Sequence, residues 1–368
     1  MSPIVGVVGG GQLARMMIPP AVELGIELRV LAETAGSSAA LAATSVGDYR
    51  DVQTVLDFAA GVDVVTFDHE HVPQEVLRAL VAHGIAVHPG PDALLFAQDK
   101  LLMRARLAEL GLPVPEWAAV SSIAELDAFL ARNGGRCVVK TPRGGYDGKG
   151  VRVVSDAAEV ADWFAAGQAL LAEELVDFRR ELAQQLARRP SGEIILWPLV
   201  ESIQADGVCS EVIAPAPGTT TRLADVAADI ASSIAENLGV TGVLAVELFE
   251  TTDDRLLVNE LAMRPHNSGH WSIDGSHTSQ FEQHLRAVLD LPLGPTGVRE
   301  PWSVMINVLG GTDQDRYGVA LADQPGAKLH FYGKEPRPGR KVGHVTAVGD
   351  DLDDTVFRAR AAAAHFQG

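Results

Sequence analysis

The segments Val243-Leu244-Ala245-Val246-Glu247-Leu248-Phe249-Glu250 and Leu256-Leu257-Val258-Asn259-Glu260-Leu261 decide how this chain reads. Both have the composition of buried strands, and Asp253-Asp254 between them reads as a two-residue turn, so the pattern predicts an antiparallel hairpin. With that turn, Glu247 and Glu260 fall opposite one another. Facing carboxylates on adjacent strands repel unless a cation lies between them. Hard oxygen ligands completed by water and phosphate suit magnesium. The competing reading is a pair of acids on a solvent face, where acids are common. Strict alternation puts Asn259 on the opposite pleat from Glu260, so any shared role needs a distorted strand.

The second strand runs on into Ala262-Met263-Arg264-Pro265-His266-Asn267-Ser268-Gly269-His270-Trp271. A guanidinium, an amide and two imidazoles gathered where an apolar strand ends are too polar for a core. They suit a loop at the mouth of a site, where rigid neighbours position functional groups.

The chain has 368 residues, enough for two or three domains at roughly 150 residues each. Apolar residues make up 47% and charged residues 21%, which excludes a disordered chain. Its 30 basic and 48 acidic residues leave a net charge of −18, which argues against broad nucleic-acid or anionic-membrane binding. Cys137 and Cys209 both lie in apolar strand-like contexts and read as reduced thiols. No basic n-region precedes Ile4-Val5-Gly6-Val7-Val8 and no apolar run is long enough to span a bilayer, so a cytoplasmic enzyme is expected.

Strands alternate with helices through the first part, which implies a parallel sheet. Pro19-Pro20 is expected to kink or divide the first helix. Gly9-x-Gly11-x-x-Ala14 meets the letter of the dinucleotide fingerprint, with Glu33 near the ribose-binding position; the alternative is a tight turn presenting a helix N-terminus. In Phe67-Asp68-His69-Glu70-His71 the two histidines could be metal ligands, but a polar rim with Glu70 as a substrate contact is the preferred reading. Gln98 to Leu110 reads as one helix carrying Lys100 and Arg104 on neighbouring turns. After Lys140, the loop Gly144-Gly145-Tyr146-Asp147-Gly148-Lys149-Gly150 lets backbone N–H groups approach phosphates, or is simply a flexible turn. Glu173-Glu174 closes another apolar strand, either solvated or facing a nucleoside. Late in this acidic chain stands a basic cluster, Lys334, Arg337, Arg340 and Lys341, that fits a phosphate-binding loop or a solvated turn.

Taken together these motifs resemble the ATP-grasp superfamily, and within it the 5-(carboxyamino)imidazole ribonucleotide synthetases of purine biosynthesis. The resemblance covers nearly the whole chain: residues 9–16, 144–150, 259–271, 279–286 and 339–344, with Arg264 to Trp271 its most specific run. It implies an α/β and α+β protein with the ATP-grasp fold. Residues 1–97 would form an N-terminal Rossmann-like parallel-sheet domain, 98–176 a small middle α+β lid, and 177–368 a C-terminal antiparallel-sheet α+β domain. ATP would lie between the latter two.

By residue matching, Lys100, Lys140, Gly145, Tyr146, Asp147, Gly148, Lys149, Gly150, Val151, Glu173, Glu174, Leu175, Val176, Glu181, Gln204, Asn259 and Glu260 would bind nucleotide. Glu247 and Glu260 would hold magnesium, as two ions, with manganese an alternative. A related formate-using transformylase places the ribonucleotide at Gln12, Leu13, Glu70, Asn267, Lys334, Arg340 and Lys341, with Arg264 a further substrate-binding residue. The family often has histidine at the position of Gln204, and usually Glu and Asn at those of Asp68 and His71.

The chemistry so implied is phosphoryl transfer from ATP to bicarbonate, then carboxylation of the exocyclic amine of aminoimidazole ribonucleotide, by a homodimer. Arg264 would hold the bicarbonate and carboxyphosphate anions. His266, with an ordinary pKa of about 6.5, would transfer a proton, unless it merely packs on Trp271. Tyr146 and Asp147 would close over the intermediate and exclude water. Rival readings are a formate-dependent glycinamide ribonucleotide transformylase, a nucleotide-binding protein without turnover, and a dinucleotide oxidoreductase. Dependence of phosphate release on the acid and amine supplied separates them.

Overall fold

A computed structural model describes residues 2–145, 149–205, 207–311 and 316–367. Within them the chain builds three sheets. The first collects β1 (Ile4–Val8), β2 (Glu27–Ala32), β3 (Ala43–Val46), β4 (Val64–Phe67) and β5 (Ala86–Val87) in the order β3-β2-β1-β4-β5, all parallel. β1 reads as a polar-free run, and β4 as one interrupted only by Thr66, because strands inside a parallel sheet are covered on both faces. α1 (Gln12–Glu23), α2 (Val52–Ala59), α3 (Gln74–Ala82) and α4 (Pro91–Gln98) accompany them. α1 passes through Pro19 and Pro20 undivided. Proline's fixed φ is itself helical, so the pair forfeits two backbone N–H donors without ending the helix.

The expected helix from Gln98 to Leu110 is present but begins two residues later, Gln98 being the last residue of α4. Asp99 breaks the run with an extended backbone and caps α5 (Lys100–Glu109), its carboxylate accepting from Leu101 N and Leu102 N. The second sheet follows, antiparallel in the order β6-β9-β7-β8, from β6 (Trp117–Val120), β7 (Cys137–Lys140), β8 (Val151–Val154) and β9 (Leu170–Glu174), with α6 (Ile123–Arg132) and the short α7 (Ala161–Phe164).

The third sheet is antiparallel, in the order β15-β14-β10-β12-β13-β16-β18-β17, with β11 added to β10. Its strands are β10 (Phe178–Arg188), β11 (Ile194–Leu196), β12 (Val200–Ala205), β13 (Val208–Ala214), β14 (Gly242–Thr251), β15 (Leu256–Ala262), β16 (Trp302–Leu309), β17 (Lys328–Phe331) and β18 (Lys341–Gly349). Around it lie α8 (Thr221–Asn237), α9 (Ser272–Gly275), α10 (Gln280–Val288), α11 (Tyr317–Asp323) and α12 (Leu352–Ala364). No described helix is long and apolar enough to cross a membrane.

The first and third sheets are not separate bodies. One apolar cluster runs from Phe67 and Leu77 through Leu107 to Leu182, Val246 and Leu261, and α1 shares a second with α10 through Met17, Phe281 and Leu285. A polar tie crosses the same joint. His284 of α10 is fully buried, accepts from Val243 N at Nδ1 (3.1 Å) and so donates from Nε2 to Thr66 Oγ1 of β4 (2.7 Å). Gly242 lies at φ +92°, and a Cβ there would sit 2.8 Å from the same imidazole.

Burial pushes His284 down to about 3, so it stays neutral in the folded chain while its unfolded counterpart titrates near 6.5. Unfolding therefore takes up a proton below about pH 6.5; the stability is whole above that value and drains as the pH falls toward 3. Between pH 6.5 and 5, a His284→Gln variant should lose about 1.5 kcal/mol less stability than the parent. Urea unfolding at the two pH values measures this, and equal slopes would refute it.

Candidate functional site

Glu247 and Glu260 are register partners, as the hairpin pattern predicts, but the route to that pairing is different. The turn is a three-residue loop, Thr252-Asp253-Asp254, closed by Thr251 N donating to Arg255 O, with Asp254 at φ 62°. That loop shifts the register by one, so Glu250, Phe249 and Leu248 face Leu256, Leu257 and Val258. Asn259 is then an extra residue, a bulge, and beyond it the original register returns. The bulge supplies the distortion that Asn259 requires: Lys140 Nζ donates to Asn259 Oδ1 (3.0 Å), and Lys100 Nζ pairs with the neighbouring Glu260 carboxylate.

A buried arginine holds the bulge. Arg104, 0% exposed and one turn beyond Lys100 on α5, donates to Val258 O (2.6 Å) and Asn259 O (2.8 Å), and pairs with Glu173. Lys140 Nζ binds the other oxygen of Glu173 at 2.7 Å. Although burial pushes the Glu173 carboxyl up, the two cations win and hold it below its ordinary range. Glu173 thus fastens the second sheet to the third rather than offering an open face to a nucleoside. Its neighbour Glu174 is also engaged, accepting from Glu116 N at 3.0 Å. Leu175 and Val176 follow at the strand end, Leu175 exposed.

On the hairpin's face of the third sheet lie Glu181, which burial pushes up and Lys140 pulls down, and Gln204, whose amide donates to Ser202 Oγ (3.0 Å). The glycine loop is anchored by Thr141 N donating to Gly150 O and Pro142 O accepting from Lys100 N. Gly150 lies at φ +71°, and a Cβ on Gly145 would meet Lys149 O at 2.7 Å. Val151 opens β8. Tyr146, Asp147 and Gly148 lie outside the described residues.

After β15 the chain turns into the polar loop. Arg264 Nε donates to Glu70 Oε2 (3.2 Å), and Met263 N donates to Glu70 Oε1 (2.9 Å). The rim acid expected to touch substrate therefore orients Arg264. His266 Nδ1 accepts from Ser268 N, which places its proton on Nε2, 3.4 Å from Glu247 Oε1. Burial and the cations Arg264 and Lys341 push His266 down to about 3, so it is a neutral donor, not the near-neutral base its ordinary value implies. Asn267 is 8% exposed, and its buried amide has the Cys209 thiol beside it, a weak partner that leaves hydrogen-bonding capacity for a ligand.

Lys334 and Lys341 of the basic segment face this loop from the β17–β18 connection. Lys334 Nζ donates to Gln12 Oε1 (2.6 Å), Lys341 lies near His266 and Glu247, and Arg340 donates to Glu335 O (3.2 Å). Leu13 turns its side chain into the core, leaving its backbone as what it can offer. The dinucleotide reading fails here. Asp68 occupies the α1 N-terminus, accepting from Gly11 N (2.5 Å) and Ala14 N (3.0 Å), and Glu33 pairs with Arg50. His69 and His71 stack with ring centroids 5.4 Å apart, and no metal-binding group of three or more His, Cys, Asp or Glu occurs among the described residues.

Burial, then the carboxylates of Glu260 and Glu181, push Glu247 up to about 7. A carboxyl so crowded by its own kind suits a divalent cation, with water and phosphate oxygens filling the remaining positions. Three groups were missed in the sequence. Arg104 had a signal, its i,i+4 spacing from Lys100 on an apolar helix; Asp68 and Gln280 had none. Gln280, 0% exposed, treats residue 266 as a strand partner would: its Oε1 accepts from His266 N (2.8 Å) and its Nε2 donates to His266 O (2.8 Å).

Family models for a ribonucleotide synthetase preATP-grasp domain, an ATP-grasp domain and a phosphoribosylaminoimidazole carboxylase C-terminal domain match residues 1–98, 105–281 and 303–357. An N5-carboxyaminoimidazole ribonucleotide synthase of Mycobacterium tuberculosis is 52% identical over 375 residues, spanning 99% of this chain and 87% of its own length. The Thermus thermophilus synthetase structure superposes with a TM-score of 0.91 at 37% identity, covering 99% of each chain. The Aspergillus clavatus enzyme, solved with ADP and 5-aminoimidazole ribonucleotide, gives 0.89 at 30%, covering 99% of this chain and 98% of that one.

Removing the Arg104 guanidinium strands two bulge carbonyls and the Glu173 carboxylate. Arg104→Met should cost about 3–5 kcal/mol of unfolding free energy. A loss below about 1 kcal/mol in urea titrations would show that the bulge holds itself.

Proposed function

The chain belongs to the N5-carboxyaminoimidazole ribonucleotide synthase family of ATP-grasp ligases, and we propose that it uses ATP to activate bicarbonate and carboxylates the exocyclic amine of 5-aminoimidazole ribonucleotide. The observation that carries this reading is the bulged hairpin. It turns Glu247, Asn259 and Glu260 toward Lys100 and Lys140, and its second strand runs directly into Arg264 and His266.

Bicarbonate is a poor electrophile. Transfer of the terminal phosphoryl group of ATP to a bicarbonate oxygen gives ADP and carboxyphosphate; the amine nitrogen then attacks the carboxyl carbon, the C–O bond to phosphate breaks, and the departing phosphate takes up the proton that the nitrogen loses. Lys140, Lys149 and the glycine-loop amides position the triphosphate, while Glu181 and the backbone of Leu175 and Val176 receive the nucleoside. A divalent cation, magnesium or manganese, bound by Glu247 and Glu260 would supply neutralisation of the triphosphate charge.

Arg264, oriented by Glu70, holds the planar bicarbonate and carboxyphosphate anions by its fork. His266 donates a hydrogen bond from Nε2 to the same anions, its neutral state being the one burial favours. Asn267, Gln12, Lys334, Arg340 and Lys341 receive the ribonucleotide, the cations taking its phosphate.

Omitting ATP, bicarbonate and 5-aminoimidazole ribonucleotide in turn tests the reading: product requires all three, and equal turnover with formate in place of bicarbonate would overturn it. Glu260→Gln should lower kcat by about 100-fold or more with the fold intact, because the site loses one of the two carboxylates proposed to hold the cation. Near-normal turnover would remove Glu260 from the cation site. Arg264→Lys should release more phosphate than product, since an ammonium lacks the fork; an unchanged product-to-phosphate ratio would sink its role.

A further inference from the structure

Three histidines that the proposed chemistry does not use form a row beneath the polar loop. His330 of β17 and His344 of β18 are register partners whose rings stack at 4.5 Å and 18°. His344 lies 5.0 Å, centroid to centroid, from His270, and its Nδ1 shares a 2.7 Å hydrogen bond with Tyr332 Oη. At the outer end His330 Nε2 meets Asp274 Oδ2 at 2.7 Å. At the inner end Gln280 Nε2 donates to His270 Nδ1 (2.8 Å), and the same Gln280 grips the backbone of His266 from both sides.

The two ends of this row belong to different parts of the site. Tyr332 directly precedes the segment carrying Lys334, whose ammonium lies 5.6 Å from the Tyr332 ring, and Lys341 begins the strand that carries His344. His270 follows His266 and Asn267 in the loop. The row thus joins the cations suited to the ribonucleotide phosphate with the loop suited to the acid being transferred.

The residue types are costly for mere packing. His270 and His344 are 0% exposed, and the Nε2 atom of each has no hydrogen-bond partner among the described residues. Because Gln280 Oε1 is committed to His266 N, its amide NH2 faces His270, so His270 carries its proton on that partnerless Nε2. Phenyl rings would fill the same space without stranding two nitrogens.

We propose that the row His330–His344–His270 is a strut that transmits ribonucleotide binding at the β17–β18 connection, through Gln280, to the backbone of His266. His344, His270 and Gln280 are then positioning residues for carboxyl transfer. The inference rests on the function proposed above.

The test compares the parent with His344→Phe, which keeps a ring but loses the hydrogen bond to Tyr332 Oη. Two quantities are read: ribonucleotide affinity without ATP, by calorimetry, and the factor by which saturating ribonucleotide raises phosphate release from ATP and bicarbonate. The strut requires that factor to fall at least about fivefold while affinity stays within about twofold. An unchanged factor, or affinity and factor falling together, overturns it. If His344→Phe does not fold, His330→Phe at the partly exposed end must lower the factor in the same direction, and an unchanged factor there overturns the strut. A parent that shows no stimulation by ribonucleotide overturns the functional reading itself, and the strut with it; a stimulated parent beside an equally stimulated variant overturns the strut alone.

Discussion

Two carboxylates brought face to face by strand register, Glu247 and Glu260, set the problem that their surroundings answer. Register-paired like charges weaken a hairpin, and here the two side chains, 27% and 41% exposed, are only partly open to the water that would screen them. The structure does not relieve this by moving one acid away. It gathers ammonium groups about them: Lys100 pairs with Glu260 and Lys140 binds the adjoining Asn259. What results is a place whose charge is balanced only in part by protein, leaving a cation and a polyphosphate to complete it.

One added residue makes this geometry possible. Without the bulge, Asn259 and Glu260 would point to opposite faces and only one could join the lysines. At the bulge, on the edge strand of the sheet, the Val258 and Asn259 carbonyls are taken by Arg104. Since Arg104 and Lys140 also share Glu173, the same few charges that shape the hairpin bind the second sheet to the third. Ion pairs of this kind contribute little net stability against an apolar substitute, but losing one partner is severe. Their value is in fixing where Asn259 and Glu260 point.

The strands and helices were legible wherever period and composition agreed, as in α6 and the hairpin pair. Glu247 opposite Glu260 was foreseen because two departures cancel: a loop one residue longer than expected and a bulge of one residue. Neither leaves a mark in composition, since Thr252 and Asn259 are ordinary residues for either conformation. The split at Asp99 was available as a capping signal but was hidden by the helical spacing on both sides. The roles that stayed illegible belong to buried polar groups. Gln280 and Asp68 act through backbone atoms that lie far away in sequence, and His266 carries an ordinary titration value until its burial is known.

The contact of Asp68 with Gly11 N and Ala14 N shows how this architecture can be reassigned. A parallel sheet of this topology ordinarily keeps the first helix terminus open as its receptor for phosphate. Here the chain has plugged that socket with a side chain of its own, converting an inherited recognition surface into a staple that joins two segments of the same domain. The cations proposed to take the ribonucleotide phosphate stand instead on the β17–β18 connection of another sheet, which meets the first through Lys334 and Gln12 and through Tyr332 in the apolar cluster of α1. A nicotinamide or flavin dinucleotide would find the fold familiar but its seat taken.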